Sequence, residues 1–418
     1  MASAYNMTVN VLIIGAGPAG SSLSLFLSGK KIPHLIIDKA VFPRDKVCGD
    51  ALSGKVMDVL TKLDKNFPVE INSLPQSFTG SYGVKFAAPN GKFIDIPFKK
   101  DLSGLARPPG FISKRNHFDH YLFQKIDRNY ATVLENCTVR DLERKNGGVE
   151  CSLFENEKPL NVFAKIVVGA EGDRSVVARK FSSVKKEDEH YCAGLRAYYK
   201  GITGFHEKNF IELHFLKELL PGYLWIFPLP NGEANVGVGM LSNEVSSRKV
   251  NLKKVMLEAI ANNPTIKNRF ANAELDGEIK GWGLPLGSKK RKISGDNFLL
   301  LGDAASLIDP FTGEGIGNAM VSGMIAAKHV DAAIEANTFD EKFFSAYDEE
   351  IYKSLWGELK LSHTLQKLSK YSWLFNYVVS KAERNETLRD TITCMFDDLQ
   401  VRDRLRSPKF YLQLLFGK

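Results

Sequence analysis

The chain has 418 residues, 44% of them hydrophobic and 25% charged, which gives room for two or three domains and excludes a disordered or low-complexity chain. Its net charge of +8 is dispersed rather than blocked. Such a charge favours approach to anionic lipid or a phosphorylated substrate, and no nucleic-acid motif accompanies it. Five scattered cysteines with no C-x-x-C pair suit a reducing cytoplasm better than a disulfide framework.

The first ten residues, MASAYNMTVN, lack the basic and apolar stretches of a signal peptide, and no run of 18 apolar residues predicts a membrane span. Residues 11–14 form a short apolar, β-branched run that reads as a buried strand. Gly15, Gly17 and Gly20 follow at G-x-G-x-x-G spacing. Residues 19–27 then read as a helix ended by Gly29, and residues 35–37 as a second strand closing on Asp38. Gly15 permits the tight turn, Gly17 lets the backbone approach a pyrophosphate, and Gly20 lets helix and strand pack closely. The helix N-terminus offers free N–H groups and a partial positive charge to the phosphates. Asp38, eighteen residues past Gly20, can hold a ribose hydroxyl pair. Strand, helix, strand and terminal acid in this order predict a dinucleotide site.

The stretch 42–50, FPRDKVCGD, is a loop by its proline and glycine. Arg44 and Lys46 can neutralise phosphate or a reduced anionic cofactor. Cys48 reads as a redox thiol, a gate or a small buried residue. Residues 78–86 and 91–98 alternate apolar and polar around Pro89-Asn90-Gly91, which predicts a hairpin and hence an inserted antiparallel sheet. A helix follows, with Arg115 near its start either reaching a phosphate or flavin edge or lying on the surface. His117 and His120 make a poor metal site without further ligands, and no metal is expected. Strands are expected at 131–139 and 148–154, then at 164–168, which runs into Gly169-Ala-Glu-Gly172-Asp-Arg-Ser175.

Between 191 and 283 the pattern favours strands at 194–199, 210–215, 223–228 and 234–240, with one helix at 252–262. Tyr223, Trp225 and Phe227 alternate, so they face one way, either as core or as the wall of a long apolar pocket. The α/β pattern returns with a strand at 297–301 ending on Gly302-Asp303. Pro310 and the run Gly313-Glu-Gly315-Ile316-Gly317-Asn318 lead into a helix at 319–335. An acid at a strand end suits a ribose or ribityl hydroxyl, and a glycine-rich helix start suits a ring oxygen or phosphate. Two such half-sites, far apart in the chain, can serve the two ends of one extended cofactor such as FAD. Residues 336–418 carry no fingerprint and read as aromatic-rich helices capping the substrate domain. Residues 401–418 hold five basic residues against one acidic and are the candidate for peripheral docking at the inner face of a membrane.

Taken together, Gly15 to Gly20 with Asp38, Gly169 to Asp173, and Gly302-Asp303 with Gly313 to Gly317 resemble the three fingerprints of glutathione-reductase-type FAD proteins of the hydroxylase branch. Pro43-Arg-Asp-Lys46-Val-Cys48-Gly49 and Tyr223-Leu-Trp225-Ile-Phe227-Pro228 resemble the two signatures of the geranylgeranyl reductase family. The resemblance covers residues 9 to about 335. It implies an α/β, Rossmann-like FAD-binding domain (1–75, 105–185 and 285–335), an inserted, mostly antiparallel substrate domain (76–104 and 186–284) and a C-terminal helical region (336–418). Cofactor residues are expected at Gly15, Gly17, Ala19, Gly20, Asp38, Arg44, Cys48, Gly49, Ala51, Arg115, Val139, Asp303, Pro310, Gly313, Gly315, Ile316 and Gly317. Cys48 is the catalytic candidate, and Tyr223, Trp225 and Phe227 would line a tunnel for a prenyl chain. Three positions depart from the family pattern: Glu171 stands for an aspartate, Asp50 for a second glycine after Cys48-Gly49, and Leu229 for a lysine. The activity implied is saturation of carbon–carbon double bonds in an apolar, prenylated lipid, with flavin hydroxylase or halogenase chemistry as the alternative. No second nucleotide-binding fold is present, so the expected reductant is a transiently bound NAD(P)H or a protein electron donor.

Overall fold

Val11, Leu12 and Ile13 have no exposed surface, because strand β1 (Met7–Ile14) is covered on both faces. That is the setting of a central parallel strand, which selects an unbroken run of apolar residues. The computed structural model describes residues 6–385 and residue 389, so the 401–418 segment lies outside the described residues. After β1 come helix α1 (Pro18–Gly29), strand β2 (His34–Ile37), the hairpin β3 (Gly83–Ala87) and β4 (Phe93–Pro97), and helix α2 (Arg115–Gln124). Strands β5 (Ala131–Leu134), β6 (Cys137–Lys145), β7 (Gly148–Glu155) and β8 (Lys158–Gly169) follow. Next are β9 (Tyr191–Lys200), β10 (Ile211–His214), β11 (Tyr223–Pro228), β12 (Ala234–Leu241), helix α3 (Leu252–Asn262) and β13 (Glu274–Pro285). Strand β14 (Phe298–Leu300) and helices α4 (Ile316–Ala336), α5 (Glu341–Leu368) and α6 (Ser372–Arg384) complete the elements that matter for the site.

The first sheet runs β14–β8–β1–β2–β5 with each of these neighbours parallel. Strands β7 and β6 extend it antiparallel from the first half of β8. Parallel strands end on one edge, so the loops after β1, β2, β8 and β14 open together. Helices α1 and α4 cross so closely that a Cβ on Gly323 would lie 2.5 Å from the Ala19 carbonyl oxygen. Ser22 Oγ seals that crossing by donating to the Met320 carbonyl at 2.9 Å.

The second sheet, β13–β9–β12–β11–β10–β3–β4, is antiparallel except for the parallel pair of β10 and β3. Leu224 and Ile226 of β11 face a core under α3 with Val236, Val238 and Met256. Trp225 and Phe227 face the other way, towards Leu213, Phe215 and Val379. The two-residue period of a strand divides β11 between two environments.

Two elements differ from the sequence expectation. The hairpin is shorter, because residues 79–81 pair with Gly110–Ile112 in a small sheet that also contains Ala51–Leu52. The Tyr82 N–H is taken by the Lys208 carbonyl, and the chain changes sheets there. The 131–139 stretch is broken at Asn136, whose φ of 48° ends β5 before β6 begins. Helix α5 starts as support for the first sheet, where buried Tyr347 donates its O–H to the Leu300 carbonyl at 2.8 Å. Helix α6 packs beside β4 on the second sheet.

Candidate active site

One cavity of about 2000 Å³ is lined both by the open edge of the first sheet and by the Trp225 face of the second. At the first end Gly15 turns with a φ of 101°, and an added Cβ would sit 2.6 Å from the Ala170 carbonyl oxygen. Gly20 stands behind the wall, where an added Cβ would lie 1.8 Å from the Gly15 carbonyl oxygen, so only glycine lets α1 start against that turn. Gly17 is the N-cap of α1 and supplies no side-chain cap, which leaves first-turn amides unclaimed beside the cavity. Asp38 fixes the turn from the next strand. Its Oδ2 accepts the Ala16 N–H and its Oδ1 the Ala40 N–H, both at 2.9 Å.

Two arginines share one counter-ion beside this turn. Arg115, at the start of α2, binds Asp119 with both ends of its fork: Nε to Oδ1 at 2.6 Å and Nη2 to Oδ2 at 2.7 Å. Arg44 Nη1 lies 2.8 Å from the same Oδ2, but its angle makes no hydrogen bond and this buried donor has no acceptor. With Asp119 fully buried, two guanidiniums on one carboxylate leave net positive charge at the wall. Burial opposes the charge on Arg115, yet Asp119 and Cys48 beside it hold the guanidinium protonated more firmly than usual. Cys48 thus stands beside Arg115. Lys46 lies 4.0 Å from the Trp282 ring centre, and burial makes it easier to deprotonate while Asp303 opposes that. Asp303 is pushed upward by burial and drawn back by Lys46 and Arg115.

Glu171 takes a structural post at this edge. Its Oε1 accepts the Val176 and Val177 N–H groups at 2.7 and 3.2 Å, capping the helix Val176–Phe181. At the third glycine segment Gly315 is the N-cap of α4, and the Gly317 N–H is claimed by Glu314 Oε1 at 2.6 Å.

The second end is apolar. Tyr223, Trp225 and Phe227 line it, joined by Leu361 and Leu365 of α5 and by Phe375 and Val379 of α6. Tyr223 O–H donates to the Thr312 carbonyl at 2.7 Å and ties β11 to the third glycine segment. Gly49 abuts the same strand, since an added Cβ would lie 3.0 Å from the Phe227 ring. The Cys48 loop and the Gly313 loop therefore both meet the aromatic strand.

A family model described as FAD binding domain matches residues 8–356. The digeranylgeranylglycerophospholipid reductase of Methanosarcina acetivorans is 30% identical over 356 residues, 84% of this chain and 80% of that one. The chain belongs to the geranylgeranyl reductase family of FAD-dependent oxidoreductases. A geranylgeranyl bacteriochlorophyll reductase-like protein from Thermoplasma acidophilum has a solved structure similar to this one, with TM-score 0.78 at 25% identity over 90% of this chain and 91% of that one. A flavin-dependent brominase shares the fold, with TM-score 0.75 at 21% identity over 95% and 97% of the two chains.

The first end fits the cofactor of that family. Amides at an uncapped helix start, an orphaned Arg44 donor and a glycine whose added Cβ would come within 3.3 Å of Arg44 Nη2 suit a pyrophosphate. Of the cofactor residues expected from the sequence, Gly15, Gly17, Ala19, Asp38, Arg44, Cys48, Gly49, Ala51, Arg115, Val139, Asp303, Gly313, Gly315 and Ile316 line the cavity. Gly20, Pro310 and Gly317 stand outside its lining; the Pro310 carbonyl instead accepts Gln366 Nε2 at 2.6 Å. Sequence reasoning missed Asp119 and Asn235. Signals existed for both: Asp119 is four residues past Arg115 on a helix, and Asn235 is the polar residue inside an apolar strand. Among the described residues no cluster of metal-ligating side chains is assembled, and no helix is long and apolar enough to cross a membrane.

Proposed function

We propose that the protein reduces carbon–carbon double bonds of a prenylated lipid, with FAD at the first end of the cavity and the prenyl chain along the second. In this reading Gly15, Gly17, Ala19 and Arg44 hold the pyrophosphate. Asp38 keeps lone pairs for a ribose diol beyond the two amides it already accepts. Arg115, Asp303, Gly315 and Ile316 hold the remainder, with Val139, Cys48, Gly49 and Ala51 closing the sides. Reduced FAD, when bound, would supply a hydride to one alkene carbon, and a proton from an acid or water would complete the saturation at the other. Everything else is the work of the chain: it dries the site, lays the alkene flat and keeps it in register.

Tyr223, Trp225 and Phe227 give the alkene a rigid apolar wall, and α6 roofs it with Phe375 and Val379. Cys48, between the Arg115 fork and the aromatic strand, is the residue we assign beside the reacting bond. Trp373 both lines the cavity and is 65% exposed, so α6 is where a lipid would enter from a membrane surface. The two-electron donor is a transiently bound NAD(P)H or an electron-carrying protein.

The observation that supports this reading most is a single cavity in which the dinucleotide turn and the aromatic strand both take part. The names of the relatives agree with it. Mass spectrometry of products from the reduced holoenzyme, incubated with mixed prenyl lipids and phenols with and without oxygen, tests it. Two added hydrogens per double bond, independent of oxygen, are expected. Products carrying oxygen or halogen instead would overturn the reductase reading.

A further inference from the structure

Asp50 stands at the junction of the two ends of the cavity, and its surroundings are unusual. Its side chain has no exposed surface, and its φ of 69° is one that only glycine adopts freely. Such a backbone persists when its neighbours over-determine it. Here they do. Asp50 Oδ2 accepts the Tyr198 O–H at 2.7 Å and the Asn235 Nδ2–H at 2.8 Å. The other hydrogen of that amide goes to the Cys48 carbonyl at 2.7 Å, and Asn235 Oδ1 accepts the Trp225 indole N–H at 2.8 Å. Asp50 Oδ1 is buried with no partner.

The Asn235 amide has one workable orientation. Flipped, it would aim its hydrogens at the Trp225 N–H and its oxygen at the Asp50 carboxylate and the Cys48 carbonyl. Two acceptors and one donor thus fix a single side chain, and that side chain fixes the indole. The charged and titratable groups around Asp50 are Arg196 and Tyr198 of β9, Arg115 of α2, and Asp45 of the same loop, itself paired to Arg196 at 2.7 Å. Burial pushes the Asp50 carboxyl up to about 6, with Asn235, Tyr198 and the two arginines drawing it back.

We propose that Asp50 and Asn235 are positioning residues: ionised Asp50 locks Asn235, and Asn235 locks the Trp225 indole as the wall against which the alkene is aligned. This rests on the prenyl-reductase reading for the alkene, though not for the lock itself. A proton taken up by Asp50 goes to Oδ1, because Oδ2 already holds two donors. The bonds at Oδ2 then lose their charge assistance, and the hold on Asn235, and through it on the indole, loosens. Asp50 neither touches a reacting atom nor exchanges electrons in this role.

The test uses the FAD-loaded full chain and two readouts. Four tryptophans give four ¹⁵N-indole resonances, and Trp225→Phe identifies the one of interest. That resonance is expected to shift with a midpoint near pH 6 in the wild type, and to stay fixed in Asp50→Asn. With a geranylgeranyl-bearing glycerophospholipid in detergent and dithionite as reductant, Asn235→Leu is expected to lower kcat by at least about tenfold with KM within about threefold, as lost alignment does. Asp50→Asn, which keeps the shape, is expected to lower kcat less and to flatten its fall below pH 6.

A Trp225 resonance that titrates unchanged in Asp50→Asn would overturn the lock. So would an Asn235→Leu protein that is less stable but keeps kcat and product pattern in its folded fraction. If Asn235→Leu does not fold, the isosteric Asp50→Asn still decides the matter through the resonance. The resonance needs no substrate, so a normal titration with no hydrogen added to any prenyl lipid would sink the reductase reading and leave the lock standing.

Discussion

The two ends of the cavity are built by opposite means. The first is made by loops at the ends of parallel strands, and its residues act through backbone shape and charge. Gly15, Gly17 and Gly20 are there because a Cβ would strike main-chain atoms or close the approach, and Asp38, Arg44 and Arg115 because of what they donate or accept. The second end is made by side chains on regular strands and helices, and its residues act through apolar surface. Main chain cannot yield, whereas the tip of a Phe or Leu side chain can. The first end should therefore reject substitution outright, while the second should lose function by degrees.

The sharpest way to break that contrast is Gly17→Leu. Its side chain would grow from a point 3.3 Å from Arg44 Nη2 into the space in front of the uncapped helix start. FAD affinity is expected to fall by more than about a hundredfold, at least about 2.7 kcal/mol. The purified variant should be colourless, and absorbance at flavin wavelengths after reconstitution measures it. A yellow, fully loaded variant would remove the claim that backbone approach governs the first end.

Legibility in the sequence follows the same division. Glycines at a turn and acids at strand ends are fixed in spacing because phosphate and ribose geometry fixes them, so Gly15 to Asp38 and Gly302-Asp303 could be read one residue at a time. The Trp225 wall could not. An aromatic on a strand looks the same whether it faces another side chain or a ligand, and Trp225 belongs to the core cluster and lines the cavity at once. The α6 residues that roof the wall carried even less signal, since Phe375 and Val379 become neighbours of β11 only through the turn between α5 and α6. Asp50 was legible as a departure from a family pattern, but its role depends on Asn235 and Tyr198, which lie 185 and 148 positions away.

Asp50 lies between the ends and should behave like neither. Its carboxyl titrates near 6 in the fold because burial disfavours the charged form. Unfolded, it titrates near 3.9. The unfolded chain therefore sheds the proton first, and the fold bears the cost of a buried charge. That cost is complete above pH 6, shrinks between pH 6 and pH 4, and is absent below pH 4. Asp50→Asn removes it, so the variant should be more stable than wild type at pH 7.5, by at most roughly 3 kcal/mol, and indistinguishable near pH 4. Thermal melts at the two pH values check this. Greater stability together with slower turnover would mark Asp50 as a residue kept for function.

Cys48 belongs to the first end by its loop and to the second by its neighbours. Removing the thiol leaves the backbone around it unchanged, so Cys48→Ala should keep FAD while turnover falls by about ten- to a hundredfold, or while the extent of reduction changes. Flavin content and product mass distribution are measured on one preparation. Unchanged kinetics across substrates would return Cys48 to simple packing.

The mildest effect is expected at Phe375, and it tests the second end most directly. Trp225 is a poor choice for that purpose, because its indole is bonded to Asn235 and truncation would disturb the lock as well as the wall. Phe375 is only partly buried, it lines the cavity, and its ring sits 4.2 Å from that of Phe215. If the space beyond it receives a prenyl chain, Phe375→Ala removes apolar contact that substrate would have covered. KM should then rise by about tenfold, worth about 1.4 kcal/mol, with kcat close to wild type because alignment at Trp225 is intact. FAD content should not change, since Phe375 lies on α6 at the second end of the cavity. Were Phe375 core instead, the same change would cost roughly 3–5 kcal/mol of stability and leave KM alone. A thermal melt and a KM measured on the same sample separate the two. A rise in KM with a nearly unchanged melting temperature is what an end built from yielding side chains should give, in contrast to the all-or-none loss at Gly17.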